Sequence, residues 1–234
     1  MSSYQPRHAA ADHAASPQRR LLVRGAMATA VAAGAGVLAP QSAFAARATL
    51  RRGSRGEEVR KLQAQLLRMR YWHSGTDGVF GASTEQAVMA VQKAYGLPRT
   101  GICDAATWRV VGSLRPVRAR TTSGTCIEVD LTRQLLIIVI NGRVGWTFNT
   151  STGKASTPTP RGRWRLERQI NGMRHAPLGD LWRPKYWWRG YAIHGATSIP
   201  GYPASSGCAR VSYGAMNYIW KSGIAPLGRP LWVY

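Results

Sequence analysis

Beyond residue 45 the chain holds three cysteines and three histidines, a short supply of nucleophiles and near-neutral bases. Cys208 lies in Ser205-Ser206-Gly207-Cys208-Ala209-Arg210, small residues that let the backbone turn sharply and approach a substrate. Fourteen residues upstream, Ile193-His194-Gly195 closes an expected strand. A thiol of pKa ~8.5 is mostly protonated at neutral pH, and a neighbouring imidazole can take its proton and hold an ion pair. The same imidazolium can later protonate a leaving amine. Cys208 is therefore the expected nucleophile and His194 the expected base. A lone cysteine is more often a buried apolar residue. The Gly-Cys placement and the nearby histidine outweigh that reading here. No histidine follows Cys208, so peptidases with cysteine first and histidine later do not fit.

Other chemistries find less support. There is no H-E-x-x-H and no paired CxxC, so no metal site and no cofactor are expected. Ser151-Thr152-Gly153-Lys154 matches an S-x-x-K serine-nucleophile motif. Its companion S-D-N and K-T-G elements are missing, and Thr157-Pro158-Thr159-Pro160 stands where the serine's helix should continue. The four residues read as a turn ending a strand. His73, beside Tyr71-Trp72, is expected at the surface, and His175 in a polar loop from Asn171 to Pro177.

The elements that must hold Cys208 and His194 are strands. Ile127, Val129 and Leu131 alternate, Leu135 to Ile140 is a continuous apolar run, and Asn141-Gly142 predicts a type I′ hairpin turn. Arg143 to Thr150 reads as the return strand, Trp164 to Gln169 as another, and Tyr191–Ile193 and Leu231–Val233 as extended. One helix is expected near Tyr213 to Lys221. Seven of the nine Trp lie in this block, most of them as core or groove wall. The pattern predicts a mainly antiparallel β-sandwich over 125–234.

Residues 46–111 read differently. Val59, Leu62 and Leu66 recur at helical spacing after Gly53-Ser54-Arg55-Gly56. Ser83 and Gln86 have capping-box spacing at the head of a second helix, which Gly96 should end. Asp104 should cap a third helix carrying Trp108 and Val111. The whole is an α+β two-domain chain, a three-helix bundle followed by the sandwich, with residues 112–124 as linker. Cys103 ends the first domain and Cys126 begins the second. A disulfide between them would tether the domains and stabilise by ~3 kcal/mol; two unrelated reduced thiols are the alternative.

Residues 1–45 fix the expected compartment. Arg19-Arg20 and Arg24 precede an apolar stretch from Gly25 to Leu38, then Ala43-Phe44-Ala45, a signal peptide cleaved near Ala45. The stretch is shorter than the ~20 residues needed to span a bilayer, so membrane contact is expected only during export. Arg19-Arg20 ahead of Leu21-Leu22-Val23 fits the twin-arginine route, and the general secretory route is the other possibility. Of the formal charge of +22, removal of this leader leaves 28 Lys and Arg against nine Asp and Glu, or +19. Such a field attracts polyanions. No zinc finger, RRM-like aromatic signature or basic zipper points to nucleic acid; anionic wall polymers are the expected partners by charge.

Two resemblances follow from these residues. Leu50-x-x-Gly53-Ser54-x-Gly56-x-x-Val59-x-x-Leu62-Gln63, Asp77-Gly78-x-Phe80-Gly81-x-x-Thr84-x-x-Ala87-Val88, Gln92, Gly96-Leu97, Gly101 and Thr107-Trp108 resemble the peptidoglycan-binding domain-1 family. That likeness implies a module holding wall peptide or glycan. The sequence departs at Val91, often Phe in the family, and at Arg70, usually Gly. Ser151–Lys154, Thr157–Pro160 with Gly162, Ala192–Gly195, Pro203–Ser205 and Gly207–Arg210 resemble the catalytic domain of L,D-transpeptidases, the YkuD family. This second likeness implies an exported enzyme acting on peptidoglycan stem peptides and glycan. Cys208 would form a thioester with stem residue 3, and a neighbouring stem's amine would take the acyl group in a 3→3 cross-link. It also implies oxyanion support from amides around Gly207 and Cys208, orientation of His194 by the Gly195 carbonyl, and a loop or carboxylate role for Arg210. Ser206 stands where the family usually has His, which bears on loop order and rate. Hydrolysis instead of transfer, giving an L,D-carboxypeptidase or endopeptidase, and a catalytically weak wall-binding protein are the alternatives.

Overall fold

The computed structural model describes residues 47–234, which form one compact unit. The expected leader, 1–45, lies outside the described residues. Among the described residues three helices come first. In α1, Glu57–Arg68, Val59, Leu62 and Leu66 are buried on one face, with Glu57 and Glu58 in the first turn and Arg68 in the last, favourable for the helix dipole. In α3, Ala105–Gly112, the Asp104 carboxylate accepts from the Thr107 amide at 2.8 Å, as expected of its cap. In α2, Ala82–Ala94, the expected capping box does not form. The helix begins one residue before Ser83, which places Ser83 inside the first turn. Its hydroxyl instead meets the Ser74 hydroxyl at 2.7 Å. Gly96 ends α2 with φ 68°.

Two buried glutamines staple these helices in the same manner. Gln63 Nε2 donates to Asp77, the Val79 carbonyl and Thr84, while its Oε1 accepts from the Gly78 amide. Gln92 Nε2 donates to Thr100, the Ile102 carbonyl and Thr107, while its Oε1 accepts from the Gly101 amide. Asp77-Gly78-Val79 with Thr84 and Thr100-Gly101-Ile102 with Thr107 are thus two copies of one device. Each satisfies a buried amide completely, which avoids a penalty of about 1–3 kcal/mol per orphaned group. His73 belongs to this core rather than to the surface: it is buried, with Nε2 2.8 Å from the Gln63 carbonyl. Burial holds its pKa below the ordinary value.

Ten strands follow, in two sheets. The first sheet contains β1, Cys126–Asp130; β2, Leu135–Ile140; β3, Arg143–Asn149; β4, Gly162–Arg165; and β10, Pro230–Val233. Its order is β3-β2-β1-β10-β4. The second contains β5, Arg168–Gln169; β6, Met173–Ala176; β7, Gly179–Trp188; β8, Tyr191–Ala196; and β9, Ala209–Ser212. There β7 pairs with β5, β6 and β8, and β8 pairs with β9. Pairing is mostly antiparallel, with β1–β10 and β8–β9 parallel. Asn141 and Gly142 both have positive φ, as a type I′ turn requires. The helix α4, Tyr213–Lys221, is capped by Ser212.

The continuous apolar run of β2 has a direct cause. Leu135, Ile137 and Val139 pack with the helical module, and Leu136 and Ile138 with the second sheet and α4. A strand buried on both faces loses the usual alternation. The molecule is therefore three layers deep: helices, first sheet, then second sheet with α4. The module also extends the first sheet, since Trp72 and Thr147 donate amides to the Thr147 and Arg70 carbonyls, adding Arg70–Trp72 beside β3. That covers an otherwise open edge. Residues 113–125 form no helix or strand, yet Leu114 and Val117 are buried in the module's core, and the Arg120 and Thr121 amides donate to Glu128.

Three further expectations need correction. Trp164 to Gln169 is not one strand: β4 and β5 lie in different sheets, joined across buried Leu166. His175 sits on β6 rather than in a loop, its Nδ1 2.8 Å from Asp180. Cys103 and Cys126 form no bridge; both are free, Cys103 buried in the helical core and Cys126 buried at the start of β1.

Candidate active site

The parallel pairing of β8 and β9 brings the two reactive side chains together. Ile193 pairs with Ala209 and His194 with Arg210, so Cys208 enters β9 beside the strand that carries His194. Side chains alternate between faces of a strand. Ile193 and Ala209 point into the core, and Cys208, His194 and Arg210 line one cavity on the opposite face. That cavity measures about 770 Å³ and is also bordered by Tyr191, Ser205, Ser206 and Tyr213. Arg168 and Arg174 stand farther round the rim.

His194 is buried and held by its own strand. Its Nδ1 lies 2.9 Å from the Gly195 carbonyl, an acceptor, so Nδ1 carries the proton and Nε2 offers its lone pair. Gly195 lets two rings close over this point, since a Cβ there would lie 2.9 Å from Trp182 Cδ1 and 3.0 Å from Tyr213 Cδ1. Burial, reinforced by the Arg210 charge and opposed by the Gly195 bond, lowers the His194 pKa to about 4. Burial raises Cys208 above the usual thiol value, against the Ala192 amide and Arg210. Both directions favour neutral partners in the resting site. The thiol donates to the Gly190 carbonyl at 3.8 Å.

The loop before Cys208 is fixed by hydroxyls. Ser205 Oγ donates to the Cys208 carbonyl at 2.6 Å and accepts from the Gly207 amide at 3.0 Å. Gly207 has φ 116°, and a Cβ there would fall 2.4 Å from Tyr191 Cε1. Tyr191 in turn stacks on Trp188, centroids 5.5 Å apart and planes 9° from parallel. The segment expected as a turn, Ser151 to Lys154, is instead an extended strap. Ser151 pairs with Arg210, and Gly153 with Ser205. Thr159 Oγ1 accepts from the Gly153 amide and donates to the Gly207 carbonyl at 2.7 Å; Thr157 Oγ1 donates to the Ser205 carbonyl. A Cβ at Gly153 would lie 2.1 Å from the Thr157 carbonyl oxygen. The Thr-Pro-Thr-Pro run thus clamps the nucleophile loop.

Of the expected site residues, His194, Ser206, Cys208 and Arg210 line one cavity, with Gly195 and Gly207 next to His194 and Cys208 in the chain. Because Ser205 holds the Gly207 amide, that amide is committed within the loop. Among the described residues Arg210 has no carboxylate partner. Sequence reasoning did not single out Ser205 or Thr159, although hydroxyl residues at the ends of the motifs were visible. Among the described residues no group of three or more His, Cys, Asp or Glu is placed to hold a metal ion.

Comparison with known proteins identifies both parts of the chain. Residues 124–232 match the L,D-transpeptidase catalytic domain family, and residues 55–111 the peptidoglycan binding domain family. An L,D-transpeptidase of known structure from Xylanimonas cellulosilytica is 42% identical, with TM-score 0.74, over 79% of this chain and 97% of that one. The chain belongs to the L,D-transpeptidase family. It also resembles two curated proteins in part: a zinc D-Ala-D-Ala carboxypeptidase from Streptomyces albus G, 33% identical over 138 residues, and the N-acetylmuramoyl-L-alanine amidase CwlM from Mycobacterium tuberculosis, 37% identical over 70 residues. These matches take in 56% and 30% of this chain, and 47% and 16% of the respective relatives.

Proposed function

We propose that the protein is an exported peptidoglycan L,D-transpeptidase that forms 3→3 cross-links through a thioester on Cys208. The observation that carries this reading is that one cavity is lined both by Cys208 and by a His194 whose Nε2 is left free by the Gly195 bond. His194 Nε2 takes the thiol proton as Sγ attacks the carbonyl of stem residue 3. The negative charge developing on that carbonyl oxygen falls to amides of the nucleophile loop, the Cys208 amide first, because the Gly207 amide is engaged by Ser205. The C–N bond breaks, His194 protonates the departing D-Ala amine, and the thioester remains. An amine from a second stem then attacks, gives its proton to His194, and expels the thiolate, which His194 reprotonates. Arg210, cationic and without a carboxylate partner among the described residues, is suited to a stem carboxylate. The helical module and the positive field hold the enzyme on wall glycan and anionic polymers outside the cell. The domain bounds that go with this reading are a leader at 1–45, a module at 46–111, a connector at 112–124 and a catalytic domain at 125–234.

The test is covalent. Purified mature protein is incubated with a carbapenem, an acylating agent for this family, and its intact mass is followed for wild type and Cys208→Ala. An adduct on wild type alone is expected; an equal adduct on both removes Cys208 as nucleophile. Analysis of wall fragments then separates cross-linking from trimming.

A further inference from the structure

The catalytic scheme leaves a buried lysine of the helical module unused. Lys93, on α2 of the helical module, is 2% exposed. It has no carboxylate partner among the described residues. Its Nζ reaches across to the catalytic domain, donating to the Thr150 carbonyl at 2.8 Å and the Gln134 carbonyl at 3.2 Å. Both acceptors connect onward to the site. Thr150 Oγ1 donates to the Arg210 carbonyl at 2.7 Å. The Gln134 side chain holds Thr152 twice, accepting from its amide at 2.8 Å and donating to its hydroxyl at 2.7 Å. The Thr152 carbonyl accepts from the Ala204 and Ser205 amides, each at 2.9 Å, and Ser205 holds both Gly207 and Cys208.

We propose that Lys93 of the helical module is a positioning residue for Cys208, acting through the strap at residues 150–153. Burial without a counter-ion makes the charged form of this amine costly and lowers its pKa to about 7, and either protonation state keeps donors that need acceptors. Carbonyl acceptors are its compensation, and they fix where the strap lies. The strap runs between the module and β9, so a shift at Thr150 or Gln134 reaches Arg210 and the Ser205 turn without any gap in the hydrogen-bonded chain. Packing from the same helix supports it, since Gln86 on α2 meets Asn149, whose Nδ2 also donates to the Ile199 carbonyl. The module then contributes to the acylation step itself, apart from any hold on the wall. This inference rests on Cys208 being the nucleophile proposed above.

The experiment uses the mature chain and a soluble carbapenem, so that wall binding plays no part. Lys93→Met keeps the aliphatic stem and removes the donors; Thr150→Val removes only the hydroxyl that reaches Arg210, and Thr150→Ser restores it. Both the limiting acylation rate and the half-saturating carbapenem concentration are measured, along with thermal unfolding. Lys93→Met and Thr150→Val are expected to lower the limiting rate at least tenfold, with half-saturation within twofold of wild type. Thr150→Ser is expected to recover most of that loss. A limiting rate within twofold of wild type for either Lys93→Met or Thr150→Val overturns the proposal. If Lys93→Met does not fold, the Thr150 pair decides by the same criterion. Failure of the wild type itself to be acylated would strike the enzyme reading instead, which keeps the two claims separate.

Discussion

Titrating the free enzyme from below pH 4 to above pH 9 separates a neutral thiol–imidazole pair from a preformed ion pair. With the His194 pKa near 4, only about one imidazole in a thousand is protonated at pH 7. Burial also pushes the Cys208 thiol above its ordinary value, which keeps it protonated at the same pH. Protonating His194 at pH 7 alone costs about 4 kcal/mol at 1.36 kcal/mol per pH unit, and ionising the raised thiol adds to that. Attraction between unit charges ~4 Å apart at an effective dielectric of ~20 returns about 4 kcal/mol. The ion pair therefore lies uphill, and the proton moves only as sulfur attacks. The sign follows directly. His194 must be unprotonated to act, so activity is present above its folded pKa and is lost as pH falls through about 4. The assays are the second-order rate of carbapenem acylation across pH and the thiolate absorbance of wild type minus Cys208→Ala. The acid limb should sit near pH 4, and the thiolate band should be absent at pH 7. An acid limb at 6.5 or higher, or a clear thiolate band at neutral pH, refutes the reasoning.

Other perturbations read different parts of the site. Gly207→Ala combines a left-handed backbone with a clash against Tyr191. A displacement near 1 Å at the nucleophile should cut acylation about 100-fold, while far-UV circular dichroism stays unchanged. Ser206→His should raise turnover, with the melting temperature nearly unchanged because Ser205 already carries the loop's bonds; no gain in steady-state rate would count against it. Thiol titration of the native protein should find one reactive group, Cys208, because Cys103 and Cys126 are buried. Full denaturation without reductant should then reveal three, and a count of one would mean that a bridge forms after all.

The legible parts of the sequence were those where one physical cause acts alone. The spacing of Val59, Leu62 and Leu66, the Asn141-Gly142 turn, and the helix over Tyr213–Lys221 each declare themselves locally. Cys208 and His194 stood out in the sequence because few other residues could do their chemistry, and the structure places both at one cavity. What escaped was set by tertiary partners. His73 looks like a surface residue until Gln63 is folded beneath it. Ser83 has capping-box spacing but lies one residue too far along its helix. The hairpin of β6 and β7 carries Arg174, His175, Asp180 and Arg183, a polar stretch that hides strand periodicity. Lys93 would pass for a solvated helix lysine, because only the docked sheet reveals its burial. A cue for the glutamine staples was present, however. Aspartate or threonine, then Gly, a β-branched residue and, five positions later, Thr occur twice, each time after a Gln. Arg70 adopts φ 66°, which gives a physical reason for the glycine usual at that place.

Burial of β2 on both faces has a practical consequence for anyone wishing to exchange parts of this protein. Truncation ahead of residue 112 would leave Leu135, Ile137 and Val139 open to water and strip the added strand from the side of β3. The product would be a sticky fragment with a ready template for self-association, rather than a soluble enzyme lacking an anchor. A chimera carrying a foreign wall-binding unit must reproduce the sheet-facing surface of α2 as well as the fold. Swapping at the apparent boundary would break the molecule through the middle of a core.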